Sequence, residues 1–189
     1  MTRPHPMNRL IQGDVGSGKT AVALLASLDV IEGGYQTALM VPTEVLAEQH
    51  YLNLRPWVEP LGVHVVLLTS NVKGQEREEI YDRVRAGRVQ LVIGTHAMIQ
   101  ETVEFQRLGL AIVDEQHKFG VNQRAKMRQL GVDPHYLVMT ATPIPRTVAL
   151  TVFGDLDVSV MREQPPGRQP VTTRWVKEAQ RDKVHERLR

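Results

Sequence analysis

Apolar positions along this chain fall into short runs separated by segments of mixed character. Runs rich in β-branched and aliphatic residues recur at 9–12, 37–41, 64–69, 90–94, 110–113, 137–140 and 156–160. Several, such as Leu110-Ala-Ile-Val113, are continuously apolar, as a strand covered on both faces must be. The intervening segments 18–31, 44–57, 75–85, 123–130 and 146–153 space their apolar residues as helices do,. Gly33-Gly34 end the first of these, and Pro60, Gly87 and Gly131 punctuate later exits,. Strands alternating with helices predict a three-layer α/β domain around a mostly parallel central sheet of about seven strands. The run 75–83 mixes charge signs at helical spacing and reads as a solvated face,. Trp57, near a helix end, is expected to pack in the core or at its rim rather than stack on a base,.

Composition then limits what such a domain can be. A length of 189 residues with 42% hydrophobic content supports one domain with a real core and the beginning of another,. Proline and glycine concentrate at 163–170, a linker in character,. The residues after it suggest one strand and one charged helix with too little apolar surface to fold alone,. The expected division is therefore 1–162, a linker at 163–170, and a truncated start of a second domain at 171–189. No apolar run approaches the roughly 18 residues of a membrane span, and the N-terminus lacks a secretory signal,; a soluble, cytoplasmic protein with no membrane partner is expected. Absence of cysteine excludes disulfides and thiolate metal sites, and the seven histidines show no ligand spacing,. A net charge of +2 hints at nucleic acid, yet the basic surplus lies in 163–189 and the rest is nearly neutral. Nucleic-acid contact by residues 1–162 would have to come from a few placed groups.

The strongest chemical signal is Gly13-Asp-Val-Gly-Ser-Gly-Lys-Thr20, which satisfies G-x-x-x-x-G-K-[ST] with a predicted strand before it and a helix after,. Gly13, Gly16 and Gly18 let backbone wrap an anion, and the helix N-terminus turns its unpaired N–H groups toward it. Lys19 is placed to reach β- and γ-phosphates, Thr20 to offer a hydroxyl to Mg²⁺, and Ser17 to add a loop contact. ATP and Mg²⁺ are the expected ligands.

Such a loop needs a facing acid. Leu110-Ala-Ile-Val-Asp-Glu115 provides two where a parallel sheet exposes its ligand-binding edge,. Asp114 is the candidate Mg²⁺ ligand and Glu115 the candidate base or orienter for the attacking water. Alone, the pair would read as a solvated strand end; beside the phosphate loop it reads as catalytic, with Lys19.

Asp114-Glu-Gln-His117 resembles the motif II box of the superfamily 2 helicases, named for such Asp-Glu-x-His sequences. Pro42-Thr43-Glu44 with Ala47-Glu-Gln-His50 resembles motif Ia, Gly94-Thr-His96 a later DNA-contacting motif, and Thr140-Ala-Thr-Pro-Ile-Pro-Arg-Thr147 an extended motif III. Longer blocks at 94–100, 114–121, 154–160 and 165–168 resemble, essentially end to end, the branch whose motors translocate on double-stranded DNA and act on forks and Holliday junctions in recombination and repair. A transcription-repair coupling translocase is the runner-up, set behind by Gln116 and Ser17.

The resemblance implies a RecA-like ATP-binding domain, the first motor domain of an ATP-dependent DNA helicase. Pro42, Thr43, Thr95 and His96 would meet the DNA backbone, although for His96 a loop-packing role suits the sequence equally well. Gln116, His117, Thr140 and Thr142 would relay the state of the γ-phosphate toward DNA. Arg124 and Arg146 read more simply as solvated helix surface. Implied partners are branched double-stranded DNA and the second RecA-like and wedge domains of a longer, monomeric protein. The second domain would bring the arginine finger, and an adenine-recognition segment would precede the phosphate loop; neither is in this sequence. The chain by itself is thus expected to bind nucleotide weakly and hydrolyse it poorly, or to act only as a nucleotide-binding module. A guanine selector and a transport-ATPase signature are both missing.

Overall fold

The computed structural model describes residues 5–95, 98, 103–115, 134–142 and 156–163, and the single positions 173, 175, 176 and 178. Strands β1 (Asn8–Gly13), β2 (Gln36–Met40), β3 (Val65–Leu68), β4 (Leu91–Gly94), β5 (Leu108–Asp114), β6 (His135–Thr140) and β7 (Asp157–Met161) form one sheet in the order β3-β4-β2-β5-β6-β1-β7. Every pairing is parallel. All seven apolar runs became strands, with ends shifted by a residue or two from the expected ones. Helices α1 (Lys19–Glu32), α2 (Glu44–Val58) and α3 (Gly74–Arg85) match three of the expected five. The other two, at 123–130 and 146–153, lie outside the described residues, as do almost all of 163–170 and 171–189.

Two apolar clusters flank the sheet, and the period of two along each strand divides its residues between them. Leu10, Ala38, Met40, Val92, Ala111, Val113 and Val138 face one side, where Ile80 and Val84 of α3 pack. Ile11, Leu39, Leu91, Ile93, Leu110, Ile112, Leu137 and Met139 face the other, against Ala23 and Val30 of α1 and Ala47, Leu54 and Val58 of α2. Each fully buried Leu or Ile contributes about 1.5–3 kcal/mol, and this two-sided burial is why the runs carry no polar alternation.

Helix α2 continues past Pro56, which sits in its last turn; a 3₁₀ turn at Glu59–Leu61 and Gly62 then reverse the chain. Its buried stripe, Ala47, Leu54 and Val58, leaves Trp57 about a quarter-turn out of register, and Trp57 is 71% exposed. The expected core or rim role for this tryptophan is therefore incorrect: its neighbour Val58 takes the inward position.

Because all strands run the same way, the segments leaving β1, β6 and β5 emerge at one edge of the sheet, with β6 between the other two. That edge carries the chemistry.

Candidate functional site

The phosphate loop begins at Gly13, the last residue of β1. A β-carbon there would lie 2.5 Å from Ser17 Oγ and 3.0 Å from Met161 Cβ, so only glycine lets the loop fold back against β7. Gly16 and Gly18 have φ of 78° and 93°, which turns the backbone around an anion-sized space. Gly18 is the N-cap of α1; no side chain caps that end and no acid lies in its first turn. Its partial positive charge is left for a ligand. Asp14 braces the loop: its Oδ1 accepts from Val15 N at 2.7 Å and its carbonyl from Ser17 N at 3.1 Å. Lys19 Nζ donates to the carbonyls of Gly13 and Asp14, each at 2.8 Å. Ser17 Oγ is shielded against Gly13, with no hydrogen-bond partner among the described residues.

Asp114 ends β5, and Glu115 follows in the left-handed region at φ 53°, a conformation that costs a non-glycine residue about 1–2 kcal/mol. Two contacts stabilise it: Glu115 N donates to Met139 O and to Asp114 Oδ1, both at 3.0 Å. Ala141 N in turn donates to Glu115 Oε1 at 3.4 Å. Asp114 Oδ2 lies 3.1 Å from His50 Nε2, with both side chains largely enclosed.

These pieces surround one cleft of about 440 Å³ lined by residues of the phosphate loop, α1, α2, both acids and Ala141. Gly16, Gly18, Lys19, Thr20, Asp114 and Glu115, each expected at the site, all face it. Gly13 and Ser17 are set behind it, supporting the loop from the sheet side. Thr140 is buried, its Oγ1 accepting from Thr142 N at 3.1 Å, while Thr142 is exposed beside the cleft's Ala141. Gln116 and His117 lie outside the described residues.

Toward the other end of the same sheet edge, Thr43 caps α2 by accepting from Leu46 N at 3.3 Å, and Pro42 precedes it at the surface. Thr95, expected to meet a DNA backbone, is only 1% exposed and donates its backbone N–H to Leu68 O at 3.3 Å. His96 is outside the described residues.

Gln49, His50 and Asn53, not expected at the nucleotide site, line the cleft from α2. One signal was present: Ala47, His50 and Leu54 follow i, i+3, i+7, so a histidine stands on the inward stripe and needs a polar partner there.

Comparison with known proteins agrees with this geometry. The family model described as DEAD/DEAH box helicase matches residues 4–151. The chain is 56% identical over 189 residues to an ATP-dependent DNA helicase RecG of Synechocystis sp. (strain ATCC 27184 / PCC 6803 / Kazusa), covering 100% of this chain and 23% of that protein. It is 57% identical over 184 residues to the RecG of Bacillus subtilis (strain 168), covering 97% and 27%. Among solved structures, a RecG bound to a three-way DNA junction superposes with a TM-score of 0.78 at 49% identity, covering 97% of this chain and 24% of that one. The DUF1998 helicase MrfA, at 18% identity and a TM-score of 0.65 over 82% of this chain and 28% of that one, shares the fold. This chain thus spans about a quarter of the length of the RecG relatives it matches.

Proposed function

We propose, from the premise that this chain belongs to the DEAD/DEAH box helicase family, that it is the first ATP-binding motor domain of a RecG-like helicase acting on branched DNA. One observation carries the reading: a glycine-rich loop, its lysine and two strand-end acids converge on a single cleft at the carboxyl edge of a parallel sheet. The RecG name shared by the relatives supports this reading over a transcription-coupled one, and the similar RecG structure bound to a three-way DNA junction supports branched DNA as the substrate.

The residues fit a nucleotide with magnesium. The loop's positive-φ glycines and the uncapped end of α1 provide amides for phosphate oxygens,. Lys19 Nζ, now satisfied by two loop carbonyls, can exchange either of them for a phosphate oxygen without leaving the loop. Among the described residues no group of three or more metal-ligating side chains exists. Thr20 and Asp114 would therefore hold the ion jointly with the nucleotide, as magnesium usually requires; bound there, it would neutralise charge on the transferring phosphate. Glu115, oriented by Ala141 N, is the group to accept a proton from or align the attacking water. Its link to the Thr140–Thr142 segment is the route by which the cleft would report to the coupling residues.

DNA would run across the same edge over Pro42 and Thr43, with Thr95 supporting that surface from beneath. A soluble, monomeric protein of the cytoplasm, completed by a second RecA-like domain and a wedge domain, is the setting we propose; no described helix is long and apolar enough to cross a membrane.

Titration calorimetry with magnesium and a non-hydrolysable ATP analogue tests the assignment. The chain should bind, and Lys19→Ala, removing a charge-assisted contact of about 1.5–3 kcal/mol, should weaken binding by about 10- to 100-fold. Equal heats for the two proteins would refute the site.

A further inference from the structure

The contact between His50 and Asp114 spans 64 positions of sequence and joins α2 to the end of β5 inside the cleft. A carboxylate oxygen only accepts, so the ring nitrogen facing Oδ2 must be the donor, and the imidazole holds its hydrogen on Nε2. The other oxygen, Oδ1, accepts from Glu115 N at 3.0 Å. Two donors from different elements thus grip the two oxygens, and rotation of the carboxylate about its Cβ–Cγ bond would break both bonds. Each oxygen still keeps a lone pair for another ligand. His50 stands on the inward stripe of α2 between Ala47 and Leu54, both buried, where an unpaired imidazole would carry a desolvation cost. Of the polar side chains that α2 presents to the cleft, it is His50 that the structure pairs with an acid of the site.

We infer that His50 is a positioning residue: its Nε2–H fixes the orientation in which Asp114 offers its carboxylate to magnesium. This rests on the nucleotide reading above and adds to it a residue from the helix that follows the DNA-facing loop at Pro42 and Thr43. Ligating carboxylates are commonly steered by such an outer hydrogen bond, and losing one typically costs about 10- to 100-fold in metal affinity.

The test measures binding of a fluorescent ATP analogue by the full chain while magnesium is titrated, alongside binding in a chelator and thermal unfolding. His50→Met fills similar volume without a donor; His50→Gln keeps an amide N–H that can reach the same oxygen. The inference expects H50M to raise the half-saturating magnesium concentration about 10-fold or more, well beyond any change it makes to nucleotide binding in chelator, and H50Q to recover most of the loss. Wild-type magnesium dependence in both variants overturns it. So does a loss in H50M that is equally large in chelator, because that marks a structural prop rather than a carboxylate guide. If the wild-type chain itself shows no magnesium-dependent binding, the nucleotide reading fails and this inference falls with it.

Discussion

A methyl group on residue 13 would press on Ser17 Oγ on one side and Met161 on the other. Gly13→Ala should cost about 1–3 kcal/mol, the usual range for overpacking, and should lower the thermal midpoint while displacing the loop from β7. A second residue-scale prediction concerns His135, whose Nδ1 accepts from Met7 N at 2.7 Å. Burial lowers its pKa below the ordinary 6.5, since the enclosed ring resists charging. With the folded value below the unfolded one, the unfolded chain binds the extra proton first. Stability is therefore unaffected by this group well above pH 6.5 and declines as pH falls through and below it,. Urea midpoints measured from pH 8 to pH 5 should fall more steeply for the wild type than for His135→Gln; identical slopes would contradict the assignment. At this scale the phosphate loop and the acid pair were legible in the sequence, because anion binding and magnesium holding admit few residue types at few spacings. The His50 contact was not, since nothing local fixes which strand end α2 will face. The burial of Thr95 was hidden for the same reason: a threonine after a strand looks like a surface donor until β3 is known to lie beside β4.

Secondary elements were read well where both faces of a strand are apolar, and the ends drifted where exposure begins. β7 is the clearest instance, an edge strand whose residues are half-buried at most, so its apolar pattern says less about its limits. The elements are also tied by polar groups that no periodicity reveals. Gln36, at the start of β2 and 3% exposed, donates through Nε2 to Val84 O at 2.9 Å and Val89 O at 2.7 Å, and accepts from Arg107 N at 3.1 Å. One amide thereby closes the end of α3, the approach to β4 and the approach to β5. Gln36→Leu would strand Val89 O and Arg107 N, each costing about 1–3 kcal/mol when buried without a partner, and would leave Val84 O with its remaining donor, Gly87 N at 3.0 Å. We expect a loss of about 3 kcal/mol or more in denaturant unfolding, with the slope against denaturant unchanged. A loss below about 1 kcal/mol would mean that water replaces the amide.

At the scale of the whole molecule, a cleft at one sheet edge brings together the loop, the acids and α2, and the groups described around it include a single lysine. Charge that develops on a transferring phosphate generally calls for a second cation, worth about 10³–10⁵ in rate. Phosphate release by the 189-residue chain should accordingly be slower by a factor of that order than release by a protein of its RecG relatives' full length; equal rates would show that the cleft is self-sufficient. The ladder between β1 and β7 adds something else. It pairs Gly13 with Met161, the last residue of β7. Tension applied to the segment beyond that point would be borne first by a strand whose immediate neighbour is the phosphate loop, so load and fuel meet across one pair of residues.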